Sequence, residues 1–139
     1  DKLDKVFDWP VRVYYEDTDA GGVVYYANYL RYMERARTEW LRSLGFEQDQ
    51  LAEQQGVIFA VRRAEVDYLL PARFNDGLTV RSVITSVKAA SLDFAQDIVR
   101  TTDGELLCQG LIRVACIDRN ELRPARIPPA IRDQLARIA

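Results

Sequence analysis

Two carboxylates one residue apart, followed closely by a glycine pair, make Glu16-Asp17-Thr18-Asp19-Ala20-Gly21-Gly22 the segment of this sequence best suited to chemistry. A carboxylate can act as nucleophile or general base, and glycine lets backbone approach a ligand closely. The same residues have a plainer use, since aspartates build turns by bonding nearby backbone and glycines permit them. The local residues alone favour the turn. The sequence contains no histidine, which removes Ser-His-Asp and Cys-His triads, histidine-ligated zinc and any imidazole base. Catalysis must therefore rest on carboxylates, Tyr, Lys, Cys, backbone dipoles or a cofactor. No GxGxxG or P-loop pattern supports a nucleotide cofactor, and no metal-ligand spacing is present. Cys116 is a potential nucleophile without a base to activate it.

The elements that must carry this segment follow from periodicity. Val11–Tyr15 alternates and is rich in β-branched and aromatic residues, which predicts a strand leading into the Asp-Gly loop. From Asn28 to Leu44 the period changes, with Leu30, Met33, Ala36, Trp40, Leu41 and Leu44 at three- and four-residue steps. That is an amphipathic helix, with Arg35 and Glu39 spaced as an i,i+4 pair and Gly45 placed to end it. Asp49–Gln55 suits a short second helix. Beyond Gly56 the period is two, predicting strands at Val57–Leu69, Leu78–Lys88, Ser91–Thr101 and Glu105–Asp118. The loops Ala89-Ala90 and Asp103-Gly104 join the later strands as hairpins. Pro128 and Pro129 open a last helix with Ile131, Leu135 and Ile138 on one face. One strand, one long helix and four further strands form a single α+β domain over residues 1–139. An antiparallel sheet of about five strands curled around that helix is the economical arrangement.

Composition sets limits. The chain has 139 residues, 48% hydrophobic and 29% charged, with a net charge of −2, as a globular domain with an ordinary core requires. No apolar run approaches the roughly 20 residues of a membrane span, and no signal-peptide pattern opens the chain. A cytoplasmic protein is expected. The charge balance gives no field to attract nucleic acid, although all basic residues except Lys2, Lys5 and Lys88 are arginine. Cys108 and Cys116 read as reduced core thiols.

The run from Val13 through Asp17, Asp19, Gly21, Gly22 and Tyr26 to Leu30 continues into Glu34-Arg35-Ala36-Arg37-Thr38-Glu39-Trp40-Leu41. It resembles the hot-dog-fold acyl-CoA thioesterases, in particular the Tol–Pal-associated group and the related 4-hydroxybenzoyl-CoA thioesterases. Asp67–Arg73 and Arg126-Ile127-Pro128 extend the likeness over nearly the whole chain. The resemblance implies a hot-dog fold that dimerises through its sheets and often forms tetramers. It also implies hydrolysis of acyl-CoA without metal or organic cofactor. By position the family's catalytic carboxylate falls on Asp19, and the backbone around Tyr26 polarises the thioester carbonyl. The Tol–Pal-associated group usually has histidine where this chain has Tyr26, whereas the 4-hydroxybenzoyl-CoA relatives have tyrosine.

The chemistry is feasible without histidine. A leaving thiol has a pKa near about 8.5 and departs with little help from an acid. What remains is to deliver a nucleophile and stabilise an oxyanion. Asp19 can attack or deprotonate water, and a helix N-terminus offers unpaired N–H groups and a positive dipole end. Asp17 is read as structural, and Glu34 as an ion-pair partner. Gly22 and Val23, between carboxylate and helix, are expected against the substrate. For the CoA phosphates, Lys88 and Ser91 on one hairpin, with Arg63, are the candidates, and Arg62 and Arg126 come next. The expected partners are acyl-CoA and a second copy or a tetramer, with acyl carrier protein as a further candidate. A non-catalytic acyl-thioester or carrier-protein binding module is the alternative. A hydratase on this fold is disfavoured because it relies on histidine.

Overall fold

The computed structural model describes residues 5–139; the expectation of no signal-peptide pattern falls partly on residues 1–4, outside them. Five strands form one antiparallel sheet: β1 (Val6–Arg12), β2 (Val57–Tyr68), β3 (Gly77–Val87), β4 (Ser91–Arg100) and β5 (Leu106–Asp118). Their order across the sheet is β1-β3-β4-β5-β2. Three helices accompany them: α1 (Ala27–Ser43), α2 (Gln48–Gln54) and α3 (Pro129–Ile138). The later strands and all three helices lie within a residue or so of their expected bounds.

The first strand departs from expectation. It runs over Val6–Arg12, with Phe7, Trp9 and Val11 turned inward, and pairs with β3. Val13 continues the pairing only in part, donating its N–H to Asp76 and accepting from the Asn75 amide. At Tyr14 the Asp17 carboxylate takes the backbone N–H at 2.9 Å, and Tyr15–Asp17 closes into a single 3-10 turn. A carboxylate three residues on offers the backbone a local acceptor and stops the strand despite two β-favouring tyrosines.

Helix α1 ends as Gly45 dictates. Its φ is +92°, and the amides of Gly45 and Phe46 bond back to the carbonyls of Arg42 and Leu41, a Schellman motif. The buried face comprises Tyr29, Tyr32, Met33, Ala36, Arg37, Trp40 and Leu41. Leu30, expected inside, is 38% exposed; Tyr29 takes the inward position, and its hydroxyl accepts the Ala72 amide at 2.9 Å. Nor do Arg35 and Glu39 pair. Glu39 is engaged by Arg42, and the Arg35 guanidinium lies over the Tyr32 ring.

The helix rests directly on the sheet at Gly110 of β5, where an added Cβ would sit 2.9 Å from Met33 Cε. A polar clasp holds it to β4: Gln96 donates to the Met33 carbonyl and to Ser82 Oγ, and accepts from Arg37. Trp40 meets Phe94 edge-on and stacks on Phe7. The α3 residues Ile131, Leu135 and Ile138 join the same continuous core, as their spacing requires.

Candidate active site

The loop between the 3-10 turn and α1 folds back on itself. Asp19 donates its N–H to the Val23 carbonyl at 2.9 Å, and Gly22 donates to the Asp19 carbonyl at 3.0 Å. These bonds make a three-residue hairpin loop whose last position needs a left-handed residue. Gly22, with φ +79°, supplies it. Gly21 has a different reason: a Cβ there would come within 3.2 Å of Asp19 Oδ1. The Asp19 side chain is exposed, and its Oδ1 accepts the Gly21 amide at 2.9 Å. One carboxylate oxygen is fixed by that bond, and no hydrogen bond to the other is present among the described residues.

This loop is tied to the start of α1 and to the segment after β2. Val23 bridges to Arg73, Val24 donates to the Ala72 carbonyl, and Tyr25 donates to the Asp17 carbonyl. Asn28 Nδ2 donates to that same Asp17 carbonyl at 2.9 Å, so Asp17 is the hinge pin between loop and helix. At the tip of α1 the Asn28 and Tyr29 amides turn back to the carbonyls of Tyr25 and Tyr26. The amides of Tyr26 and Ala27 have no acceptor among the described residues. Two unspent donors at the positive end of a 17-residue helix are the kind of group that can stabilise developing negative charge.

Aromatic rings wall this tip. Tyr26 is 57% exposed and lies against Tyr25 and, edge-on, Tyr68. Tyr68 continues the wall to Tyr29. Beneath it, burial and the Asp17 carboxylate push the Tyr32 hydroxyl well above the ordinary phenol range. Tyr68 was not singled out in the sequence. Its signal was only an aromatic at the end of a strand.

The phosphate candidates lie elsewhere in the protomer. Lys88 and Ser91 close the β3–β4 hairpin, where the Lys88 amide donates to Ser91 at 2.8 Å. That hairpin is at the far end of β3 from Gly77, about 34 Å along the strand at about 3.4 Å per residue. Arg63 sits midway along β2, paired with Glu65, beside a shallow hollow with Asp93 and Arg113. Neither is brought to Asp19 within one chain. Cys108 and Cys116 are free and buried, and burial pushes their thiols up to about 12 and 11, values at which neither is a nucleophile. Among the described residues no cluster of three or more acidic or thiol ligands is present.

Comparison with known proteins places the chain in a family. A model of the thioesterase-like superfamily matches residues 13–135. The acyl-CoA thioesterase YbgC of Haemophilus influenzae is 45% identical over 94% of this chain and 94% of its own. The acyl-CoA thioester hydrolase YbgC of an Escherichia coli strain is 47% identical over 91% of this chain and 92% of its own. Among solved structures, a 1,4-dihydroxy-2-naphthoyl-CoA thioesterase from Synechocystis superposes with a TM-score of 0.87 at 25% identity, covering 94% of this chain and 96% of its own.

Proposed function

We infer that this chain, which belongs to the thioesterase-like superfamily and is an acyl-CoA thioesterase of the hot-dog fold, uses Asp19 to open the thioester and the tip of α1 to hold the resulting oxyanion. The observation that carries this reading is the exposed Asp19 carboxylate in a loop bonded to the first turn of a helix with two unspent amides. The substrate carbonyl oxygen rests against the Tyr26 and Ala27 N–H groups, and Gly22 and Val23 flank the thioester. Asp19 either attacks the carbonyl carbon, giving an anhydride that water then hydrolyses, or deprotonates the attacking water. In both routes the C–S bond breaks and CoA leaves as thiolate. No cofactor enters either route. Tyr26 contributes its amide and a ring that packs beside the acyl group.

The working unit in this reading is a homodimer in which each sheet wraps its α1 as the central helix. The outer edge of β2 is 12 residues long and free of proline, whereas the opposite edge strand is shorter and carries Pro10. A long open edge of this kind invites a second strand. Two-fold antiparallel pairing of β2 sets its Val57 end beside the partner's Tyr68 end. Because Ser91 pairs with Ala115, and Ala115 with Ala60, the Lys88–Ser91 hairpin of one protomer then approaches the helix tip of the other. Lys88, Ser91 and Arg63 thereby become available to the CoA phosphates across the two-fold. The dimer is the minimal assembly, and tetramers stack such pairs. The free thiols support a cytoplasmic enzyme, and no helix among the described residues is long and apolar enough to cross a membrane.

The experiment is thiol release from short, long and aromatic acyl-CoAs, with acyl carrier protein thioesters as a further arm and light scattering on the same sample. Turnover by a dimer or larger assembly supports the reading. Binding without thiol release, or a monomer with full activity, overturns it. Single-turnover hydrolysis in isotopic water, with label sought in the Asp19 side chain, separates nucleophile from general base.

A further inference from the structure

One charge lies where α1 otherwise buries apolar side chains. Arg37 is 8% exposed, and its Nη1 donates to Gln96 Oε1 at 2.8 Å. Gln96 is itself fixed by Met33 and Ser82, so the guanidinium is held in direction. A guanidinium has five N–H donors. Among the described residues one of them is matched, and no carboxylate lies within ion-pair distance of Arg37. Burial pulls its pKa down to about 10, with Glu34 acting the other way, and it stays cationic at neutral pH.

Arg37 lines a half-open cavity of about 370 Å³ between α1, α2 and β2. Phe59, Val61, Leu92 and Phe94 supply apolar walls, and the guanidinium lies 6.0 Å from the Phe94 ring centroid. Thr38 and Gln48, also on the wall, are bonded to each other at 3.2 Å. Glu34 lines the same cavity but is exposed, so water and salt weaken its field. A buried cation whose nearest carboxylate is exposed and screened is poorly compensated. A cavity with apolar walls on its β2 and β4 side and a guanidinium, Thr38 and Gln48 on its helical side is complementary to a ligand that is apolar along its length and anionic at its end.

We propose that Arg37 is a specificity-determining residue that receives the far end of the acyl group and selects acyl-CoA thioesters whose acyl chain ends in a carboxylate. This rests on the thioesterase dimer inferred above. Along its own helix Arg37 is eleven residues, or about 16 Å, from Tyr26. In that proposed pairing the Phe59–Val61 end of β2, which lines the cavity, would lie on the side of the partner's helix tip, where the thioester reacts.

The test compares CoA thioesters of equal chain length that end in methyl or in carboxylate, using the intact protein. Wild type should favour the carboxylate-ended substrate in kcat/KM by about tenfold or more, as a charge-assisted bond to a buried guanidinium allows. Arg37→Met should lower kcat/KM on that substrate by about ten- to a hundredfold and leave the methyl-ended one near its wild-type value. Arg37→Lys should retain part of the preference. Absence of preference in wild type, or equal losses on both substrates, overturns the proposal. Should Arg37→Met fail to fold, the arginine side-chain NMR signals of wild type are titrated with glutarate and with valerate. A saturable shift of the Arg37 Nε–H signal by glutarate at lower concentration than valerate supports the proposal, and no such shift overturns it. If neither thioester is hydrolysed, the thioesterase reading falls, while this titration still decides the role of Arg37.

Discussion

Replacing Tyr26 with proline isolates the contribution of one backbone amide. Tyr26 has φ −55° and ψ −32°, and proline fixes φ near about −65°, so the ring is accommodated in φ without strain. The carbonyl of residue 26 still accepts the Tyr29 amide. What disappears is the N–H, which has no acceptor among the described residues, and the phenol side chain. Tyr26→Ala removes the phenol and keeps the N–H, so the ratio between the two variants reports the amide alone. Loss of one preorganised oxyanion donor typically costs about 2.7–4 kcal/mol of transition-state stabilisation, or about 10²–10³ in kcat. Steady-state thiol release gives kcat and KM for both variants, and thermal melts establish that both fold. Tyr26→Pro is expected to fall by that factor below Tyr26→Ala, chiefly in kcat. Equal turnover in the two would refute a donor role for the Tyr26 amide.

Two predictions concern what holds the site in place. Gln96→Leu orphans buried groups of Arg37, Ser82 and Met33, and one such group costs about 1–3 kcal/mol. Urea unfolding should show a loss of about 3 kcal/mol, part of which Arg37→Met restores in the double variant. The Asp93 carboxylate is held below its usual range by hydrogen bonds from Arg113 at 2.8 and 3.2 Å. A depressed carboxylate stabilises the fold above its unfolded pKa of about 3.9 and loses that contribution as pH falls through the folded value. Asp93→Asn should therefore lower stability by about 0.2–1 kcal/mol at pH 7, and the difference should vanish in strong acid when unfolding is followed at both pH values.

Much of this was legible in the chain because the signals were local. Gly45 stops α1 where a left-handed residue is needed, and the Asp103-Gly104 turn and period-two runs place the later strands. The first strand was misplaced because Asp17 captures the Tyr14 amide, a side-chain competition that β propensity does not register. Leu30 and Tyr29 exchanged roles because burial of the Tyr29 ring depends on Ala72, 43 residues away, to satisfy its hydroxyl. At the site, the acidic run ending in Gly21-Gly22 found the loop, and the resemblance rather than the pattern singled out Asp19. Lys88, Ser91 and Arg63 lie away from Asp19 in the single chain, and only the two-fold pairing proposed above would bring them to it. Arg37 did leave one. It falls on the stripe of Met33, Ala36, Trp40 and Leu41, and a charge there signals a buried partner.

Asp19→Asn bears most directly on the mechanism. The amide oxygen of asparagine can still accept the Gly21 N–H that Asp19 Oδ1 now accepts, so the loop and the helix tip keep their shape while the negative charge is lost. Turnover of a good acyl-CoA substrate should drop by at least about a hundredfold with the melting temperature unchanged. Wild-type turnover in a normally folded Asp19→Asn protein would contradict a chemical role for this carboxylate.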